Sequence, residues 1–495
     1  MNIRHPHSCG LLQAAPFTLN RSRTKGSRLP GGWALAAALI GWASLITNSS
    51  GAAVDPEIAY LYTAGRGEGV SVSKDGHRIL VSSPIDISPP SFPETIYSSF
   101  VPHVTHIPRA ENPFVQTHNP AVPGEATDVA VLPHEDFGLV VVRSDSTSPL
   151  NALLAITGDE VLQTLPIPAR PDGMKVSPDG RYAVVAVEKG GEIRIYDLSG
   201  GAGQIYLTAL ITKPALAAYY VGMPDRAGVN GRNIEPEAVG ISSDSSVALV
   251  TIQDSSSVAA IDLTEVTEGQ ELGLSPEQIG ALALKNVIHL PYGFKGSDGK
   301  LFGVEPDGVA ISPDGSFAMV AHEANTRARH LQGFSVLDLR SGLKSIVADS
   351  YCIFDIDPTL LRNTGLTECP VGSATFYPPE ANKLPRLDPA NFEIVKRGNE
   401  IVAALVIERY DPSAAQVAAA TAASPNETRG SVLFLDVDEA LDNVFPIIER
   451  VAVGVSGSKL EGIDSAQHGR WVFVSISNGG GDKGTVARLE LLTGK

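Results

Sequence analysis

The sequence predicts an all-β fold: a seven-bladed β-propeller of four-stranded antiparallel blades, with an N-terminal strand closing the last blade. Three observations predict it. The run Pro171-Asp172-Gly173-Met174-Lys175-Val176-Ser177-Pro178-Asp179-Gly180 returns nearly unchanged as Pro306-Asp307-Gly308-Val309-Ala310-Ile311-Ser312-Pro313-Asp314-Gly315. Each run is followed by a second short apolar segment, and then by a third that ends in Asp-Leu (Asp197-Leu198, Asp338-Leu339; also Asp262-Leu263). Self-similarity on this scale is the mark of a repeat architecture. Finally, 495 residues exceed one ordinary core, and 48 glycines and 35 prolines suit a β-rich chain with many turns.

The N-terminal part differs in kind. Arg4, Arg21, Arg23, Lys25 and Arg28 are its only Lys or Arg residues, and no acid precedes Asp55. The apolar run Trp33 to Ile46 is followed by the small residues Ser49-Ser50-Gly51-Ala52-Ala53. This reads as a signal peptide with a basic leader over 1–53, since the run is short for a membrane span. Residues 54–495 are then one propeller domain, exported to the periplasm or outside the cell, with no transmembrane domain after cleavage. Cleavage removes five positive charges and no negative ones, taking the net charge from −17 to −22. So acidic a protein excludes nucleic acid as a partner and favours cations or neutral and basic ligands. Cys352 and Cys369 remain as a pair, and a disulfide between them fits an oxidising compartment.

Seven repeat units follow. Aligned on the acid that opens each, they start near Glu68, Asp128, Asp172, Glu237, Asp307 and Glu461, with a divergent copy from Phe392 to Ile407. Runs rich in Val, Ile and Ala, such as Tyr182 to Val187 and Val247 to Ile252, are second strands. The last unit lacks an outer strand, and Ile58 to Thr63 is expected to fill that place and hide the open edge. Insertions are expected around 84–123, 264–284, 349–390 and 411–429. In one of them Ser275-Pro276-Glu277-Gln278 is a helix start, with a serine cap and proline in the first turn.

Adjacent strands of a blade run antiparallel, so the start of the first and the end of the second share one face near the axis. Those two places carry the candidate ligand-binding residues Asp172, Glu188, Glu235, Glu237, Gln253, Asp307, His322, Glu323, Glu408 and Glu461. Hard cations such as Ca²⁺ take carboxylate oxygens, so Glu237, Asp307 and Glu461 are the metal candidates and Ca²⁺ the expected cofactor. Crowded carboxylates also raise one another's pKa, which makes Glu237, Asp307 and Glu323 the candidates for catalysis. The plainer alternative is that each acid serves the scaffold, by accepting backbone hydrogen bonds from the next blade or pairing with an Arg.

The string Ile234-Glu235-Pro236-Glu237-Ala238-Val239-Gly240-Ile241-Ser242, with Leu249-Val250-Thr251-Ile252-Gln253-Asp254 and Ala260-Ile261-Asp262-Leu263, resembles bacterial exported propellers of the YVTN-repeat, phytase-like and choice-of-anchor groups. The resemblance implies a propeller and export. Its phytase-like branch implies a calcium-assisted phosphoesterase or esterase. The residues themselves leave enzyme and binding module both open. No nucleophile–base signature accompanies the repeats, so the first expectation is a module binding a small molecule or an extracellular protein through an acidic, Ca²⁺-holding channel face. The alternatives are a metal-dependent phosphoesterase or esterase and a lactonase-like hydrolase.

Overall fold

The chain divides into two compact units, Met1–Ala52 and Ala53–Lys495. The computed structural model describes residues 58–62, 69–83 (without 77), 95–100, 115–118, 125–223 (without 135, 136, 145–149, 158 and 159), 234–295, 301–323, 331–353, 366–368, 387–408 (without 398 and 399), 430–437, 447–454, 458–478 (without 467 and 468) and 485–491. The leader, Glu68 and Cys369 lie outside them, and so does the expected disulfide. So do the insertion at 411–429, nearly all of 354–386 and most of 84–123.

The second unit is an all-β propeller of four-stranded antiparallel blades. Six sheets have four strands each, one has five, and a two-stranded hairpin pairs Tyr292–Lys295 with Leu301–Gly303. The first strand among the described residues, β1 (Ile58–Tyr62), belongs to a sheet otherwise built from residues 458–490. The inner strands, in chain order, are β2 (Val70–Val72), β3 (Glu125–Val131), β4 (Met174–Val176), β5 (Pro236–Ile241), β6 (Glu305–Ile311), β7 (Pro389–Arg397) and β8 (Ser458–Ala466). Each packs against the next, and β8 packs against β2, so they line a closed ring. The five-stranded sheet is the one begun by β6; Leu366–Glu368 pairs beyond its fourth strand, Val347–Ile353. The last sheet runs β8, Trp471–Asn478, β9 (Thr485–Glu490), β1, with Ile58 opposite Leu489 and Tyr62 opposite Thr485.

Second strands are mostly apolar and largely buried because neighbouring sheets cover both of their faces. Tyr182, Val184 and Ala186 pack with Ala248, Val250 and Ile252 of the following sheet. Ala183, Val185 and Val187 pack with Leu139 and Val141 of the preceding one. The Ser-x-Asp-Gly turns close the inner hairpins by a shared device. In one, the Ser177 hydroxyl donates to Asp179 at 2.5 Å and accepts from the Tyr182 amide at 2.9 Å. Ser73 and Ser312 do the same, as does Ser242 in a turn where Ser245 stands in the glycine place with a φ of 62°, and Gly180 takes the left-handed φ of 75° that the turn needs.

The insertion around 264–284 is a pair of helices. Pro276–Ala283 has the expected Ser275 cap, completed as a capping box by Gln278. Leu263–Glu271, capped by Asp262, was not expected, because its first residues read as the Asp-Leu ending of a strand.

Inner strands approach closely. A Cβ on Gly173 would lie 2.2 Å from the Glu237 carbonyl oxygen and 3.1 Å from Ala238 Cα of the next strand. Both are backbone atoms that move only if the sheets part. Gly173→Ala should therefore cost about 3 kcal/mol, read as a lower denaturant midpoint. An unchanged midpoint would show that the ring yields there freely.

Candidate functional site

The acid that opens an inner strand sits on a β-bulge. The register slips between Pro236 and Val239 in β5, between Pro306 and Val309 in β6, and between Leu460 and Ile463 in β8. Glu237, Asp307 and Glu461 occupy those slips, and a bulge re-aims a side chain away from the normal alternation. Asp172 holds the corresponding place before β4, where its amide donates to the Ala186 carbonyl at 3.0 Å.

These carboxyls meet. Glu237 is pushed well above the usual carboxylate range, first by burial and then by Asp307, Asp172, Glu323 and Glu188. Asp307 is pushed up likewise, by burial and then by Glu323, Asp172, Glu461 and Glu408. Asp172 rises to about 6, with burial outweighing the nearby Arg143. Acidic groups from five sheets are thus within electrostatic reach of one another at one end of the ring. The Oε2 atom of Glu237 is buried and has no hydrogen-bond partner.

Cations are threaded between the acids. Arg143 binds Glu125 and lies 3.2 Å from Asp172. Arg170 approaches Glu188 at 3.2 Å, and Lys189 pairs with Glu188 and, at 3.2 Å, with Glu235. Lys459 pairs with Glu408. Gln253 donates to Glu323 at 3.5 Å, so it stands on the same rim. Glu323, Asp388 and Glu408 each offer an oxygen within 4.8 Å of the others, a spacing a metal ion could bridge.

Two sequence assignments change. Asp128 does not hold the opening place of its sheet; the slip in β3 puts Thr127 there. Asp128 is shifted by one residue and accepts the amides of Val129 at 2.8 Å and Met174 at 2.7 Å, so it ties its sheet to the next. His322 is the second. It precedes Glu323 in the same strand, so alternation turns it away from the rim and into the sheet packing. There its Nε2 meets the Ser335 hydroxyl at 2.8 Å, and burial lowers it to about 3, which leaves the imidazole neutral. Every other predicted ligand residue lies on the acidic rim. Asp388, Glu125 and Lys189 were missed; Glu125 and Asp388 fall two positions before the bulge residue, where Arg170, Glu235, Glu305 and Lys459 also recur.

A structure of Kuenenia stuttgartiensis hydrazine synthase is similar over 88% of this chain and 98% of that chain, with a TM-score of 0.51 and 14% identity. At that identity the likeness concerns the propeller fold alone. No protein-family profile matches the chain, and no curated protein does. Among the described residues no helix is long and apolar enough to cross a membrane.

Proposed function

We propose that this protein is an exported, seven-bladed propeller that works as a binding module, holding Ca²⁺ at its acidic mouth and through it a small molecule or an extracellular protein. Counting the five-stranded sheet as a blade with an added edge strand gives the seven. The basic leader and the resemblance to YVTN-repeat and phytase-like propellers support export. The observation that carries the cation site is the half-buried Glu237–Asp307 pair, one carboxyl from each of two adjacent sheets, with Glu237 Oε2 buried and lacking any hydrogen bond. Burying like charges together is costly, and a divalent ion removes that cost. Glu237, Asp307 and Glu461 would hold it, with Glu323 beside them.

Calcium titrated into EDTA-treated protein should raise the melting temperature, and Glu237→Gln should remove most of the shift. A wild-type melting curve indifferent to calcium sinks the cation site. Chelator-sensitive turnover of generic phosphate or carboxylic esters would move the reading from binding module to metal-dependent hydrolase.

A further inference from the structure

The channel holds a second polar constellation, separate from the acidic mouth. A cavity of about 690 Å³ runs along the inner strands to the turns at the opposite end. Its walls are mostly apolar, from Val72, Val131, Ile241, Ile311 and Ile394. The turn end carries exposed Lys74 and Lys396. Between the two ends, Lys175 of β4 reaches Asp464 of β8 at 3.5 Å. Strands β2 and β3 lie between β4 and β8 in the ring, so this ion pair crosses the lumen. Asp464 is fixed in place, because its carboxylate accepts the Val72 amide at 2.7 Å and the Ser465 amide at 3.0 Å. Glu393 of β7 also lines the cavity, with one oxygen held by the Ser465 hydroxyl at 2.6 Å. Burial pushes Glu393 up to about 7, against the pull of Lys175.

One ammonium and two carboxyls, with the amide-held Asp128 carboxyl in the same lining, therefore face each other across an apolar tube. A ligand carrying only a positive group, taking Asp464 and Glu393, would leave Lys175 without its partner. One carrying only a negative group would meet Asp464 and Glu393. A hydrocarbon would strip water from all three and return nothing. A zwitterion satisfies both signs, and the Lys175 ammonium has three donors to share. The volume is that of a small-molecule site, with room for a body larger than one side chain.

We propose that the channel binds a zwitterionic amino compound with an apolar body, an amino acid or dipeptide, through Lys175 to its carboxylate and through Glu393 and Asp464 to its ammonium. The site stands independently of any cation at the acidic mouth.

The probe is leucyl-leucine, titrated calorimetrically into the full chain with and without calcium. Its two blocked forms, N-acetyl-leucyl-leucine and leucyl-leucine amide, each lack one charge. The free dipeptide should bind, and each blocked form should bind at least tenfold more weakly. Lys175→Met should erase the preference for the free carboxylate, and Glu393→Gln that for the free amine. If either variant fails to fold, the three-ligand comparison on wild-type protein still decides. No heat from leucyl-leucine, or equal affinity for the blocked forms, overturns the proposal.

Discussion

In EDTA, taking the protein from about pH 8 to about pH 5 should raise its melting temperature by on the order of 10 °C. The cause is a set of half-buried carboxyls. Asp128 and Glu393 stand near 7 and Asp172 near 6, while Glu237 and Asp307 are pushed well above their ordinary value, in every case first by burial. In the unfolded chain the same groups ionise near pH 4. Between pH 4 and 7 the folded state therefore binds more protons. Their stabilising contribution is full below about pH 4 and is lost as pH rises through 6 to 7. Asp244 has the opposite sign, being held below its ordinary value chiefly by the Ser242 hydroxyl, and its contribution is lost below pH 4. Apo stability should thus peak between about pH 4 and 5. Calcium should flatten the alkaline limb, because it replaces the protons at Glu237 and Asp307. Scanning calorimetry from pH 3 to 9 checks this, and a melting temperature that climbs from pH 5 to 8 in EDTA contradicts it.

Deleting Ile58–Tyr62 should be the most damaging single edit to the scaffold. Those residues supply the strand that pairs with β9 from Leu489 to Thr485. Without them the last sheet loses a strand's worth of hydrogen bonds, each worth about 1 kcal/mol net. Val486, Ala487 and Leu489, all buried in the intact ring, would line an exposed edge. A loss of about 4 kcal/mol, with aggregation on heating, is expected. A synthetic peptide spanning Asp55 to Ala64 should restore part of the lost stability. A truncated protein that melts like the parent would mean that β1 is dispensable to the ring.

The scaffold was legible because its devices are local. The buried serine of each Ser-x-Asp-Gly turn and the largely apolar second strands announce themselves within a few residues. Bulges are not local in that sense. Whether Thr127 or Asp128 takes the rim place depends on a register slip against Val141 and Val142, which no spacing in β3 reveals. His322 was misplaced because a chemical label outweighed simple alternation, with Glu323 next to it facing the other way. The lumen group was invisible for another reason. Lys175 and Asp464 are separated by 289 positions and meet only because the ring closes. The helix after Asp262 was hidden because its Asp-Leu pair both ends a strand, as expected, and caps the helix that follows.

The pairing of β1 with β9 also sets a clock on assembly. Most sheets are built from strands adjacent in sequence, and such units can form as the chain is released. The joint between β1 and β9 must wait for β9 to emerge and find β1. Until that moment the molecule is an open crescent with two sticky ends, and the interval is when a neighbouring copy could supply the missing edge instead.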